Sequence, residues 1–266
     1  MKITFIGGGN MGEAILSAVL AKGLSQPQAI SVSDVSQARR QHLGQKYGVA
    51  VTGDNPQAVR QGEVVVLAVK PQNLAEVMAG LTGHLKPAQL VLSIVAGARI
   101  DTISSGLNHR CLVRAMPNTP AQIGRGISVW TATPEVSGQQ KAWASSILGA
   151  MGQELYVDDE KYIDMATAVS GSGPAYVFLF IESLVAAAVD IGLPHDMAQK
   201  LVLETVLGSG HFVRESGRPL AELRRMVTSP GGTTAEALSQ LEKGKFSELV
   251  KRAVRAAYNK ARSLGG

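Results

Sequence analysis

At 266 residues, with 45% hydrophobic side chains and 29 glycines, the chain has the length for two domains and the apolar content for a real core, which excludes an intrinsically disordered protein. The net charge of +5 comes from dispersed basic residues and aromatics are only 5%, so the basic stripe with interleaved aromatics of a nucleic-acid binder is missing and anionic small molecules are the better match. The single Cys111 excludes an intramolecular disulfide, fits a reducing compartment, and reads as a buried structural thiol within a strand in preference to a nucleophile.

Lys2-Ile3-Thr4-Phe5-Ile6 reads as a strand that begins at residue 2, leaving no stretch ahead of it for a leader; the expected location is the cytoplasm. It runs directly into Gly7-Gly8-Gly9-Asn10-Met11-Gly12 and a helix over 13–21. Gly7, Gly9 and Gly12 have GxGxxG spacing, which permits a tight turn, lets backbone approach a pyrophosphate, and packs the helix closely on its strand. The free N–H groups at that helix start suit phosphate oxygens. A second strand over 30–33 ends at Asp34, roughly 20 residues beyond Gly12, where a ribose-binding acid belongs. The competing reading of Asp34 is a helix cap. Arg39 and Arg40 follow a turn later, either in reach of a 2′-phosphate or merely solvated, so NADPH and NADH both stand.

Farther on, 37–46 is helical, 49–51 is a short strand, and 63–68 is an almost purely apolar strand that ends in Val69-Lys70-Pro71. Helices over 73–81, 100–106 and 139–150 alternate with strands over 89–94, 111–115, 126–130 and 154–157. That alternation predicts an α/β fold with a doubly wound parallel sheet. Beyond Glu160 the pattern is helical only, over 161–169, 174–191, 194–215, 220–227, 234–241 and 246–264. The expected domains are therefore 1–160, dinucleotide-binding, and 161–266, helical. The helix over 174–191 is apolar around most of its circumference but is interrupted by Glu182, Ser183 and Asp190, which argues against a bilayer span. A second copy of the chain is its expected cover.

Ligands in such sheets bind at the carboxyl ends of the strands, which directs attention to the residues after Ala68, Ile94 and Ala115. Two segments of the helical part carry hydroxyls beside helix starts: Ser170-Gly171-Ser172-Gly173-Pro174 and Thr228-Ser229-Pro230-Gly231-Gly232-Thr233-Thr234. Each is either a helix cap or a holder of a carboxylate. HExxH, paired cysteines and GxSxG do not occur, and the five histidines are scattered, so no metal site or nucleophilic triad is expected. Hydroxyls, amides and one lysine without a strong acid suit hydride transfer to a group already electrophilic, such as a protonated imine.

Ile6-Gly-Gly-Gly-Asn-Met-Gly12, Ala68-Val-Lys-Pro-Gln72, Met116-Pro-Asn-Thr-Pro120, Val169-Ser-Gly-Ser-Gly-Pro-Ala-Tyr176 and Val227-Thr-Ser-Pro-Gly-Gly-Thr-Thr234, in that order, resemble the pyrroline-5-carboxylate reductase family nearly end to end. The resemblance implies a Rossmann domain followed by an all-α dimerisation and substrate-binding domain, with homodimers that assemble further into rings of five. It implies reduction of L-1-pyrroline-5-carboxylate to L-proline by NADPH or NADH, the last step of proline biosynthesis. Carried onto this chain, it assigns the cofactor to Gly7, Gly8, Gly9, Asn10, Met11, Gly12, Asn55, Ala68, Val69, Lys70, Ala96 and Gly97, and Ser33, Asp34, Pro71 and Asn118 complete the expected cofactor site. The substrate falls to Glu160, Ser170, Gly171, Ser172, Gly173, Ser229, Gly231, Gly232 and Thr233, with Thr234 bonding the ring nitrogen. Many relatives carry Asn-Arg or a similar pair where this chain has Asp34-Val35, which weakens the case for NADP. A dehydrogenase of the same architecture with a catalytic lysine on the first long helix of the second domain is disfavoured, because 174–191 contains no lysine. A nucleotide sensor without turnover is disfavoured by the presence of Thr234 and the Ser170–Pro174 loop.

Overall fold

The computed structural model describes residues 1–264, so the last two positions of the expected second domain lie outside it. Contacts divide the chain into two units. One is Met1–Ser172 joined by the segment from Ala257 onward, and the other is Gly173–Ala256.

The first unit holds eight strands: β1 (Ile3–Ile6), β2 (Ile30–Ser33), β3 (Ala50–Thr52), β4 (Val64–Leu67), β5 (Leu90–Ser93), β6 (Leu112–Met116), β7 (Gly126–Ala132) and β8 (Gly152–Tyr156). They make one sheet in the order β3-β2-β1-β4-β5-β6-β7-β8. Its helices are α1 (Asn10–Ala21), α2 (Gln37–Tyr47), α3 (Asn55–Val59), α4 (Leu74–Leu81), α5 (Ile100–Leu107), α6 (Gly138–Gly149) and α7 (Lys161–Ala166). Val64, Val65, Val66 and Leu67 are all fully buried because helices cover both faces of β4. Val64 and Val66 join Ile15, Leu16, Val19 and Ile147 on one face, while Val65 and Leu67 join Val59, Leu74, Met78 and Ile103 on the other. This is the two-residue alternation of a strand read out as two cores.

Local signals set the helix ends. Ser36 accepts the Arg39 N–H to start α2, and Gly48, at φ 66°, ends it in the left-handed region. Ser137 and Gln140 form a reciprocal capping box at α6.

Three features differ from the sequence expectation. α3 was not anticipated; Asp54 caps it by accepting the Gln57 N–H at 3.0 Å, and Pro56 fits its first turn. β7 runs antiparallel to β6, with β8 parallel to β7. The connection over 117–125 is shorter than the dozen or so residues a parallel crossover needs, so the chain must turn back on itself. Finally, α7 continues through a π-helical turn, Thr167–Gly171, instead of breaking before Pro174. Contacts gather α7 and this turn into the first unit, 12 residues or so past the boundary expected at Glu160. The reason is local packing, for Ile163 and Ala168 are buried and Asp164 pairs with Arg114 of β6.

The second unit is helical: α8 (Gly173–Asp190), α9 (His195–Ser216), α10 (Leu220–Met226), α11 (Thr233–Lys243) and most of α12 (Phe246–Leu264). α8 buries none of its residues, and Phe178, Leu179, Phe180, Leu201, Leu207, Phe212 and Leu249 are exposed within the single chain. The helical run Lys161–Asp190 is long and apolar enough, by length and composition, to cross a bilayer. Apolar area on this scale needs a cover.

Candidate active site

The strand order reverses at β1, leaving a crevice at the carboxyl ends of β1 and β4. Register aligns Ile6 with Ser33 and with Leu67, and Leu67 with Ser93. Gly7, Asp34, Ala68 and Ile94, each one residue farther on, therefore leave the sheet in a row.

Gly7 has φ +98°, and a Cβ there would lie 2.6 Å from the Ala68 carbonyl oxygen. A Cβ on Gly12 would lie 2.5 Å from the Gly7 oxygen, so both positions require glycine. Gly9 is different, since a Cβ there would meet nothing within 4 Å. That open space sits at the N-cap of α1, where glycine offers no side chain to the first amides. A cradle of bare backbone at a helix start fits a pyrophosphate, and Asn10 and Met11 form its first turn.

Around this turn, Asp34 accepts the Gly8 N–H on Oδ2 and the Ser36 N–H on Oδ1, each at 2.8 Å. Ser33 is buried and donates to Asn55 Oδ1 at 2.6 Å, which ties β2 to the start of α3. Lys70 and Pro71 are exposed beyond β4. Gly97 is buried at φ +77°, and a Cβ on it would lie 2.5 Å from Leu264 Cβ, so the last turn of α12 seats on the loop after β5. Ala96, beside it, is half-buried. Asn118 accepts the Ile127 N–H at 2.9 Å, a bond that holds the start of β7 against the loop after β6.

The Ser170–Ser172 segment reaches the same end of the sheet, because a Cβ on Gly171 would lie 2.8 Å from Met116 Cε at the end of β6. Its groups are partly committed: Ser170 Oγ donates to the Ala166 carbonyl at 2.9 Å and Ser172 N–H to the Thr167 carbonyl at 2.8 Å. The free amides expected of a helix break are thus replaced by a π turn, a geometry common at functional sites. Glu160 is also committed. Its Oε1 accepts Arg114 Nη1 at 2.7 Å and the Ile100 N–H at 2.8 Å, while Arg114 Nη2 reaches Asp164 Oδ1 at 2.6 Å. Arg114 is only 2% exposed, so Glu160 is first of all the counter-charge of a buried cation. Arg114 was missed in the sequence reading, though one charge in the apolar run Leu112-Val-Arg-Ala-Met116 is a signal that acidic partners must exist.

In the second unit, Gly231 has φ +70° and turns the chain into α11. Gly232 N–H donates to the Ser229 carbonyl at 3.0 Å, and Gly232 itself is the N-cap. Thr233 and Thr234 stand in the first turn with no side chain capping their amides, which suits a carboxylate. Thr234 is half-buried and Thr233 exposed.

Residues 160–264 match the family model described as pyrroline-5-carboxylate reductase dimerisation, and residues 2–97 match one described as NADP oxidoreductase, coenzyme F420-dependent. A pyrroline-5-carboxylate reductase of Synechocystis is 43% identical over 265 residues, covering 100% of this chain and 98% of that protein. The chain belongs to the pyrroline-5-carboxylate reductase family. Among solved structures, the pyrroline-5-carboxylate reductase of Coxiella burnetii is 39% identical with a TM-score of 0.89, covering 100% of this chain and 98% of that one. The Plasmodium falciparum pyrroline carboxylate reductase, solved with NADP bound, is 32% identical with a TM-score of 0.92 over 100% and 98% of the two chains. The Rossmann sheet and the helical C-terminal region expected from the resemblance are both those of the family.

A second charge cluster lies beside the glycine turn and was not read from the sequence. Glu13 of α1 accepts Arg39 Nη2 on Oε2, and Lys46 Nζ and Tyr47 Oη on Oε1, both at 2.9 Å, with His42 Nε2 at 3.3 Å. Burial by itself would raise the Glu13 pKa, but the bonds from Lys46, Tyr47, Arg39 and His42 prevail and hold it down to about 2, against an ordinary value of 4.5. The stabilisation is therefore complete above about pH 4.5 and is lost as the pH falls towards 2. Glu13→Gln is expected to remove about 1 kcal/mol near neutrality and to flatten this acid limb. Calorimetric Tm against pH reads it, and an unchanged limb would deny the cluster any part in stability.

Proposed function

We infer that the chain is an NAD(P)-dependent oxidoreductase that reduces L-1-pyrroline-5-carboxylate to L-proline, the last step of proline biosynthesis. Full-length likeness to reductases of that name, at 43% identity, carries the inference. A reduced nicotinamide, NADPH or NADH, supplies the hydride when bound.

In this reading the chain's own groups do the following. The amides of the Gly7–Gly12 turn take the pyrophosphate, with Ser33, Asp34 and Asn55 on the adenosine side. Ala68, Val69, Lys70, Pro71, Ala96, Gly97 and Asn118 border the rest of the cofactor. The amides at the start of α11, with Ser229, Gly231, Gly232 and Thr233, hold the substrate carboxylate. Thr234 Oγ1 accepts a hydrogen bond from the protonated ring nitrogen, which keeps the imine carbon electrophilic without a dedicated strong acid. Glu160 and Ser170–Gly173 complete the substrate side, Glu160 through its hold on Arg114.

Oxidation of NADH or NADPH on addition of pyrroline-5-carboxylate tests the activity directly. Thr234→Ala is expected to lower kcat about 10- to 100-fold while leaving nucleotide affinity nearly unchanged. Equal loss of both would remove Thr234 from this role.

The chain forms homo-oligomers in this reading, since the match to a dimerisation family lies over the helices that leave their apolar faces open. The cover of α8 is a second copy and not a bilayer or a nucleic acid; a ring of five dimers follows from the resemblance, and the expected location is the cytoplasm. Light scattering of purified protein distinguishes monomer, dimer and decamer.

A further inference from the structure

NADPH differs from NADH in carrying a dianionic 2′-phosphate on the adenosine ribose in place of a hydroxyl. Four residues near the carboxyl end of β2 are spaced in the sequence to receive such a phosphate: Ser33, Ser36, Arg39 and Arg40. Ser33 and Arg39 are committed elsewhere in the fold, and Ser36 and Arg40 in part. Ser33 is 1% exposed, and its hydroxyl donates to Asn55 Oδ1. Ser36 caps α2, its Oγ accepting the Arg39 N–H at 3.3 Å, and its own N–H goes to Asp34 Oδ1. Arg39 donates through Nε to the Gly8 carbonyl and through Nη2 to Glu13 Oε2. Arg40 Nη1 donates to the carbonyls of Asp34 at 2.6 Å and Val35 at 3.1 Å.

The hold on Arg39 is firm because Glu13 is itself fixed from the other side by Lys46, Tyr47 and His42. Both Arg39 and Glu13 are largely buried, at 24% and 17% side-chain exposure. Turning Arg39 towards a phosphate would break an ion pair and its bond to Gly8 together, which a partly buried pair resists. Directly beside the glycine turn stands Asp34, whose Oδ2 is held on the Gly8 N–H. A carboxylate there accepts hydrogen bonds from ribose hydroxyls and repels a dianion.

We propose that this chain selects NADH over NADPH, with Asp34 rejecting the 2′-phosphate and Glu13 holding Arg39 away from it. The proposal rests on the cofactor site placed above at the Gly7–Gly12 turn, and it sets this chain apart from the relative solved with NADP.

Isothermal titration of the purified protein with NADH and with NADPH, in the absence of substrate, tests it without recourse to turnover. The wild-type protein is expected to bind NADH at least about tenfold more tightly. Asp34→Asn keeps an acceptor for the Gly8 N–H while removing the charge, and is expected to bring the ratio of the two Kd values to within about threefold of unity. Glu13→Gln, which releases Arg39, is expected to tighten NADPH binding about threefold or more with little change for NADH. NADPH bound by the wild-type protein as tightly as NADH, or more tightly, overturns the proposal and leaves the cofactor site standing. Binding of neither nucleotide by protein that circular dichroism shows to be folded overturns the cofactor site itself, and the proposal with it.

Discussion

Replacing Arg114 by Met is expected to destabilise the first unit by about 3–5 kcal/mol, seen as a fall of roughly 10 °C in Tm. The guanidinium is 2% exposed and bridges Glu160 and Asp164, whose side chains are themselves only 22% and 17% exposed. Loss of the cation leaves two carboxylates close together with no counter-charge, and a buried pair broken on one side costs more than the pair is worth intact. Because Glu160 Oε1 also receives the Ile100 N–H, the damage extends from β6 and α7 to the start of α5. Combining Arg114→Met with Glu160→Gln and Asp164→Leu is expected to recover much of the loss, since neutral and apolar groups then replace all three charges. An Arg114→Met protein that melts within a degree or two of wild type would show that solvent reaches these carboxylates and that the network is not a structural tie.

The second large effect separates two neighbouring glycines. Gly7→Ala combines backbone strain at φ +98° with a Cβ 2.6 Å from the Ala68 oxygen, and is expected to cost about 2–5 kcal/mol together with at least a hundredfold in nucleotide affinity. Gly9→Ala meets no atom within 4 Å and sits at φ −64°, where alanine is unstrained. It is expected to leave Tm nearly unchanged and still weaken nucleotide binding about tenfold or more, because its methyl enters the space the pyrophosphate needs. Thermal melts and titration with NADH, run on both variants, read the two effects. A Gly9→Ala protein that binds NADH as the wild type does would place the pyrophosphate elsewhere.

Much of the fold was legible because it is written in short-range terms. Most of the strands correspond to apolar or alternating runs bounded by glycine, proline or polar residues, and Val64–Leu67 could hardly be anything but a strand covered on both faces. The five-residue α3 escaped notice because it is too short for a helical period to register, although Asp54 and Pro56 are a cap and a first-turn signal that mark it. The direction of β7 was also within reach, since a connection over 117–125 has no room for a parallel crossover. Ser170–Pro174 was misread for a subtler reason. Gly-Ser-Gly-Pro is a helix breaker by composition, yet contact between Gly171 and Met116 and the bond from Ser172 to Thr167 carry the helix through as a π turn.

The sequence by itself determined the glycine turn after the first strand, the acid after the second, the apolar strands and the helical C-terminal region. These depend on backbone conformations that only glycine adopts, and on periodicities of two and 3.6 residues that act within a single element. Tertiary structure alone decided which partner each charge takes. Glu13 and Arg39 meet because β2 pairs beside β1 and brings α2 against the start of α1. Arg114, Glu160 and Asp164 meet because α7 returns to β6, and Leu264 meets Gly97 because the last turn of α12 seats on the loop after β5. Hydrogen bonds and ion pairs reach only about 3 Å, so their partners follow from which elements become neighbours, and in this sheet the neighbours of β1 are β2 and β4. For that reason two arginines that the sequence offered to a phosphate are, in the folded chain, held by a glutamate and by backbone carbonyls.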